Sequence, residues 1–306
     1  MKAFDVVGFG ALNMDKLFKV NKLAEAEEES FVTGFEEACG GSAANTVVGL
    51  ARLGCKVGFI GKIADDREGG VLLEDFRKEG VDTSGIRIAE RGRSGVVMGF
   101  VDEKGERALY IDAGVNDGIK FGETDLAYAS GAKFLHLTSF VSETSFQTQK
   151  KLIERLPKSV KVSFDPGALY AQRGVEKLAS IIEKTFALLP NAIELRLLTG
   201  TDDYKKGAEI MLKRGIKMVA VKLGSKGCYV TNGKESSIVE TFKVKTVDTT
   251  GAGDAFNAGF LYGLLSGKSL HDCGKIGNFV ASRCVMKMGA RTGLPRLGDI
   301  ARTMLT

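Results

Sequence analysis

Residues 248–260 read Asp248-Thr-Thr-Gly-Ala-Gly-Asp-Ala-Phe-Asn-Ala-Gly-Phe260, and everything else in the chain is best read outward from them. Before them, Phe242-Lys-Val-Lys-Thr-Val247 alternates apolar and polar side chains and is expected to form a strand. After them, Phe256, Phe260 and Leu264 recur every fourth residue, which lines them along one face of a helix. In the turn between, Gly251, Ala252 and Gly253 leave the backbone amides almost unobstructed. Free N–H groups at a helix start carry partial positive charge and point beyond the terminus, a geometry that suits a phosphate. Asp254 is out of place there, because a carboxylate should repel such a ligand. It makes sense as a base that takes a proton from an attacking hydroxyl. Read alone, the same residues also fit an ordinary glycine turn with an acid favouring the helix dipole.

Along the rest of the chain, apolar runs alternate with charged, helix-like stretches. Phe4-Asp-Val-Val-Gly-Phe9 and Lys56-Val-Gly-Phe-Ile60 flank a helical stretch at 43–53, a βαβ opening. Phe134-Leu-His-Leu137, Lys161-Val-Ser-Phe164, Phe186-Ala-Leu-Leu189 and Met218-Val-Ala-Val-Lys222 are further expected strands. Expected helices at 146–155, 175–184 and 205–214 separate them. This alternation predicts an α/β fold, a mostly parallel sheet with helices on both faces and ligands at the carboxyl ends of its strands. Two segments, about 14–39 and 94–113, break the pattern. The first carries the acidic run Glu25-Ala-Glu-Glu-Glu29, read as a solvated face, followed by Ser30-Phe-Val-Thr-Gly-Phe35. The second reads as a β-hairpin turning at Asp102-Glu-Lys-Gly105. Together they are expected to form a small sheet, either a lid or an edge and dimer contact, inserted into one domain spanning 1–306.

Composition narrows the class. The 306 residues are 44% apolar and 26% charged, with 39 glycines scattered rather than clustered, which suits tight βα turns. A net charge of +5, with Lys and Arg spread along the chain and no tryptophan, favours small anionic ligands over a nucleic-acid surface. Five widely spaced cysteines without a CxxC pair argue against a disulfide framework or structural zinc and fit a reducing cytoplasm. His136 and His271 are the only histidines, and no G-x-S-x-G elbow accompanies them, so a Ser-His-Asp hydrolase is disfavoured. No apolar run reaches membrane-spanning length, and Met1-Lys-Ala-Phe-Asp-Val-Val lacks a signal-peptide layout.

Four more turns at expected strand ends carry candidate chemistry. Gly8-Phe-Gly10-Ala-Leu-Asn13-Met-Asp15 offers Asn13 and Asp15, two apart, for the vicinal hydroxyls of a polyol. Gly40-Gly41-Ser42-Ala43-Ala44-Asn45 opens the first helix, with Gly41 allowing close backbone approach and Asn45 offering both donor and acceptor. Asn191-Ala-Ile-Glu194 and Lys222-Leu-Gly224-Ser-Lys-Gly227 follow later strands. Each also fits plain capping and turn chemistry.

Taken together, these residues resemble the ribokinase, or PfkB-type, family of carbohydrate and nucleoside kinases, from Gly8 to about Pro295. Residues 248–261 match its C-terminal signature, and residues 40–54 its N-terminal one, with Val47 and Ala64 standing where smaller residues are usual. The resemblance implies a ribokinase-like three-layer sandwich with a small β lid. It implies Asp254 as base and the amides of Gly251, Ala252 and Gly253 as the hole for a transferring phosphoryl group. It assigns Asn13, Asp15, Gly41 and Asn45 to the sugar, with Ser139 standing where ribokinases carry a sugar-contacting glutamate. Asn191 and Glu194 match an element that organises Mg2+ and phosphates through water. Lys222, Gly224 and Gly227, with Asn278, match the nucleotide side. Asp248 and Thr250 would border a K+ site present in some relatives, although Gly293 replaces a serine there. The implied cofactors are ATP and Mg2+, with ADP open as donor. The implied partners are a small sugar or a nucleoside and, through the lid, a second copy of the chain.

Phe9, Phe18 and Phe140 are candidates for an apolar wall against a nucleobase, with core packing as the plainer role. A Rossmann dehydrogenase would need G-x-G-x-x-G after its first strand, and Gly8-Phe-Gly10-Ala-Leu-Asn13 ends in asparagine. A non-catalytic sugar sensor on the same fold would be expected to have lost Asp254.

Overall fold

Val6, Val7 and Phe9 are all buried, so the strand Phe4–Phe9 is covered on both faces, as the centre of a parallel sheet must be. The computed structural model describes residues 3–104 and 106–304, without side-chain detail at 123, 124 and 301–304. In it this strand lies inside a nine-stranded sheet. The order runs Ile86–Ala89, Val57–Ala64, Phe4–Phe9, Ala132–Leu137, Lys161–Phe164, Thr185–Leu188, Met218–Lys222, all parallel. Cys228–Thr231 and Ser236–Val239 extend the last edge antiparallel. Strand order reverses between Phe4–Phe9 and Ala132–Leu137, and the crevice at their carboxyl ends is where such sheets take ligands.

Alternate residues of the strands feed two cores, as a period of two requires. Val6, Phe59 and Phe134 pack with Val47, Phe260 and Phe279 of the helices Ser42–Arg52, Ala252–Leu265 and Leu270–Cys284. Val7, Leu135 and Phe164 face the other way, onto Glu143–Arg155, Ala192–Thr199 and Tyr204–Lys213. Each such fully buried side chain contributes about 1.5–3 kcal/mol. The result is a three-layer α/β sandwich with a mostly parallel sheet. Among the described residues no helix is long and apolar enough to cross a membrane.

Asn13–Val20, Val32–Gly40, Gly95–Val101 and Arg107–Asp112 form a second, four-stranded sheet. Its central pair, Asn13–Val20 with Gly95–Val101, is parallel, and the outer pairings are antiparallel. Gly105, in the expected hairpin turn, lies outside the described residues. The acidic run 25–29 is exposed.

Two expectations need correction. Residues 242–247 are not a strand. Among the described residues the sheet ends at Ser236–Val239, and no strand lies beyond it to take the backbone hydrogen bonds. The alternation is real but describes an extended chain resting one side on a helix, with the Phe242 ring 5.5 Å from that of Phe279. The stretch 175–184 is helical only over Ala179–Ile182, because the chain leaves Gly174, at φ 79°, through a series of turns.

Candidate active site

Helix Ala252–Leu265 begins at Gly251, whose φ of 75° lies in the left-handed region. A Cβ there would stand 2.5 Å from Ala290 Cβ, so only glycine fits. The loop thereby points its amides out of the helix start. The amide of Ala252, one of the three expected in an anion hole, instead donates to Thr249 O at 3.2 Å. Presenting it to a ligand would mean giving up that turn bond. Beside the loop lies Lys222, whose Nζ is 3.4 Å from where a Gly253 Cβ would be. Asp254 follows in the first turn, and its Oδ2 accepts from Asn45 Nδ2 at 2.8 Å. Burial raises the pKa of Asp254 to about 7, the Asn45 hydrogen bond pulling it down and the charge of Asp165 pushing it up.

On one side of Asp254 lies a cavity of about 680 Å³. The six residues expected on the nucleotide side, Asn191, Glu194, Lys222, Gly224, Gly227 and Asn278, all line it, together with Ala252 and Gly253. The irregular chain 241–246 forms part of its wall, through Thr241, Phe242, Lys243, Val244 and Thr246. Asn191 and Glu194 form a capping box: Glu194 N donates to Asn191 Oδ1 at 2.8 Å, and Glu194 Oε2 accepts from Asn191 N at 2.8 Å. Burial, and then Asp165, raise Glu194 to about 7. Asn278 Nδ2 donates to Val239 O and Glu240 O, holding the chain where it leaves the sheet. Among the described residues no three His, Cys, Asp or Glu side chains cluster as a metal cage. The carboxylates of Asp165 and Glu194 still suit Mg2+, which keeps most of its waters and is held largely by substrate phosphates.

On the other side lies a cavity of about 300 Å³. All five expected sugar-side residues, Asn13, Asp15, Gly41, Asn45 and Ser139, line it, as do Thr250, Gly251 and Asp254. Asp254 thus faces both cavities. Burial raises Asp15 to about 6 against the opposing charge of Arg291. A Cβ on Gly40 would come within 2.2 Å of Asp15 Oδ2, so glycine there lets the carboxylate lie against the backbone. Of the three phenylalanines considered for an apolar wall, only Phe140 lines this cavity. Phe9 packs edge-on against it in the core, and Phe18 stacks on Phe100 and lies tilted against Phe35 in the second sheet. Asp248 lines neither cavity: its oxygens accept the amides of Thr250 (2.9 Å) and Gly289 (2.8 Å). Burial opposes ionisation of Asp248, yet these N–H groups hold its pKa below the usual range.

Four residues of the site were not anticipated. Asp165 Oδ2 accepts from Lys222 Nζ at 2.5 Å and from Asn257 Nδ2 at 2.6 Å. Burial raises the pKa of Asp165, but Lys222 and Asn257 outweigh it and the net shift is downward. The available signals were an acid directly after the strand Lys161–Phe164, and an asparagine three residues after Asp254 on one helix face. Asp117 lines the smaller cavity from a 3-10 turn with no sequence signature. Arg291 donates from Nε to Asn45 Oδ1 at 2.8 Å, and nothing in its local sequence announces that contact. His136 is a core residue, 3.0 Å from Ser163 Oγ and kept neutral by burial, which lowers its pKa to about 4.

Comparison with known proteins gives a consistent picture. The family model described as pfkB family carbohydrate kinase matches residues 3–297. An "Uncharacterized sugar kinase" of Archaeoglobus fulgidus is 49% identical over 82% of this chain and 100% of its own length. An "ATP-dependent ribose-1-phosphate kinase" of Halopiger xanaduensis is 33% identical over 94% of each chain. The crystal structure of a ribokinase from Thermotoga maritima superposes with a TM-score of 0.86 at 28% identity, covering 99% of this chain and 100% of its own.

Proposed function

The chain belongs to the pfkB family of carbohydrate kinases, and on that premise we propose that Asp254 takes the proton of an acceptor hydroxyl while residues 251–253 hold the incoming phosphoryl group. It is an ATP-dependent sugar kinase with a ribokinase-like α/β fold. The observation that carries the residue assignment is that one carboxylate, Asp254, lines both the larger and the smaller cavity. ATP would occupy the first and the acceptor the second, so that their reacting atoms meet at the loop.

Phosphoryl transfer needs alignment and charge stabilisation more than covalent help. The amides of Gly251 and Gly253, joined by Ala252 once its turn bond opens, and the ammonium of Lys222 face the transferring group without reorganising a water shell. With a pKa raised to about 7, Asp254 is a better matched base at neutral pH than an ordinary aspartate. Mg2+, when bound with the nucleotide, would neutralise phosphate charge, its waters held by Asp165 and Glu194. The second sheet, closing over the smaller cavity as a lid on a single domain, would exclude water as a competing acceptor.

Asn13, Asp15 and Asn45 suit sugar hydroxyls. Three carboxylates, Asp15, Asp117 and Asp254, line the acceptor cavity, which favours an uncharged polyhydroxy acceptor over a phosphorylated one. A nucleoside is the second reading, supported by the apolar side chains of Val97, Ile111, Phe140, Val141 and Leu169 in the same wall. Neutral sugars, sugar phosphates and nucleosides, each assayed with ATP or ADP as donor, separate these readings. If none of them gives acceptor-dependent release of ADP from ATP, or of AMP from ADP, the assignment of the two cavities is overturned.

Phe35 and Tyr110 on the outer face of the second sheet, and Phe31 just before the strand Val32–Gly40, are 51%, 59% and 69% exposed. A second copy of the chain would cover them, giving a homodimer that sedimentation detects. Five free cysteines fit a cytoplasmic setting. The loop around Asp248 and Thr250 is the proposed place for K+, and activity compared in K+ and in Na+ tests it.

A further inference from the structure

Arg291 sits in the loop after helix Leu270–Cys284 and is only 8% exposed. All three of its nitrogens are engaged. Nε donates to Asn45 Oδ1 at 2.8 Å, Nη2 to Gly40 O at 3.1 Å, and Nη1 to the carboxylate of Asp75. Its own backbone oxygen accepts from Arg52 Nη1 at 2.6 Å, and Arg52 is gripped by both oxygens of Glu79 at 2.9 and 2.6 Å. The residue is therefore fixed at its backbone and at its fork.

An arginine side chain can only donate hydrogen bonds. Asn45 must therefore turn its oxygen to Arg291, which leaves its NH2 facing Asp254 Oδ2 at 2.8 Å. Without that partner, the amide is free to flip or to bond elsewhere. We propose that Arg291 is a positioning residue for phosphoryl transfer, locking the Asn45 amide so that it holds one oxygen of Asp254 and leaves the other to the acceptor hydroxyl. This rests on Asp254 being the base. Arg291 also adds positive charge near that carboxylate, alongside Lys222, while Asp165 opposes them and the Cys284 thiol lies close by. Lysine cannot replace the fork, because one ammonium does not reach three partners in fixed directions.

The test is steady-state kinetics with ATP and an accepted sugar. Arg291→Met is expected to lower kcat about 10–100-fold, as misplacement of a reacting group does, with the KM for ATP changed less than about twofold. Arg291→Lys is expected to recover only part of kcat, and the acidic limb of the kcat/KM profile to move to higher pH in Arg291→Met. In an Asn45→Ala background, Arg291→Met is expected to cause no further loss in kcat, since the two act as one unit. Effects that multiply independently, or a kcat retained within about twofold in Arg291→Met, would overturn the proposal. Should Arg291→Met fail to fold, Asp75→Leu combined with Arg291→Met removes both charges together and is read by the same outcomes. Near-normal turnover in Asp254→Asn would instead refute the role given to Asp254, and the role of Arg291 would fall with it, whereas loss of turnover in Asp254→Asn with kcat retained in Arg291→Met would overturn the Arg291 role alone.

Discussion

The two cavities that meet at Asp254 are built from different material. The larger one is walled by turns at the carboxyl ends of parallel strands and by a helix start, so its key groups are backbone amides and one buried Lys222–Asp165 pair. The smaller one takes Asn13, Asp15, Val97 and Ile111 from the second sheet, whose outer face is exposed. Backbone geometry anchored in a two-sided core is rigid and indifferent to which sugar arrives. Side chains gathered from two sheets are adjustable, and function on a common fold diverges at such places. On the proposed assignment the chemistry lies on the donor side and the specificity on the acceptor side, with Asp254 as the boundary.

Removing the boundary should have the largest effect. Asp254→Asn keeps the shape and the Asn45 neighbour but cannot accept a proton. It is expected to lower kcat by roughly 10²-fold or more, with both KM values nearly unchanged. Because burial raises Asp254 to about 7, wild-type kcat/KM should fall about tenfold per pH unit below that value, and the variant should lack this limb. Stability carries the opposite sign. The folded pKa lies above that of an unfolded aspartate, so the folded state binds the extra proton, and its stabilisation is lost as pH rises through about 7. Glu194 and Asp15, raised to about 7 and about 6, act in the same direction. Asp254→Asn should therefore melt higher than wild type at pH 8 and show less difference at pH 5. Near-normal turnover in this variant would dissolve the division between the cavities.

Next in size is the buried pair on the donor side. Lys222→Met removes the ammonium beside Gly253 and leaves the Asp165 charge with only neutral donors, Asn257 Nδ2 and the Gly167 amide. Breaking a buried pair in this way costs about 3–5 kcal/mol of stability, and kcat/KM for ATP is expected to fall about 10–100-fold. Adding Asp165→Asn should restore much of the melting temperature and none of the ATP dependence. Recovery of both would make the pair a structural feature only.

The same contrast explains what could be read in advance. The wall of the larger cavity and the loop before Asp254 were legible because they are made of main-chain turns, and turns need glycine: Gly251, Gly224 and Gly227 announce themselves by residue type. The parallel sheet was legible from apolar runs of the right length. Asp165 and Asn257 were overlooked although both stand beside recognised elements, because a single acid after a strand has no spacing partner to mark it. Arg291 and Asp117 were not legible, since their contacts join positions 246 residues apart in one instance and a turn to a cavity in the other. The misread strand at 242–247 shows the limit of periodicity: an extended chain resting on one helix alternates like a strand without pairing as one.

The smallest expected effect is the sharpest probe of the comparison. Val97 and Ile111 reach the acceptor cavity from paired strands of the second sheet, Val97 lying directly opposite Ile111 in the antiparallel register. Ile111→Ser removes apolar contact worth about 1–1.5 kcal/mol if the acceptor covers it, so the acceptor KM should rise roughly 5–10-fold. Neither kcat nor the KM for ATP should move, because Ile111 lines the smaller cavity and not the larger one. Ile111 is 51% exposed, so the fold itself should tolerate the change. If the KM for ATP rises in parallel, the second sheet must close over donor and acceptor together. Specificity and chemistry would then share one moving part, and the two cavities would have to be treated as one site.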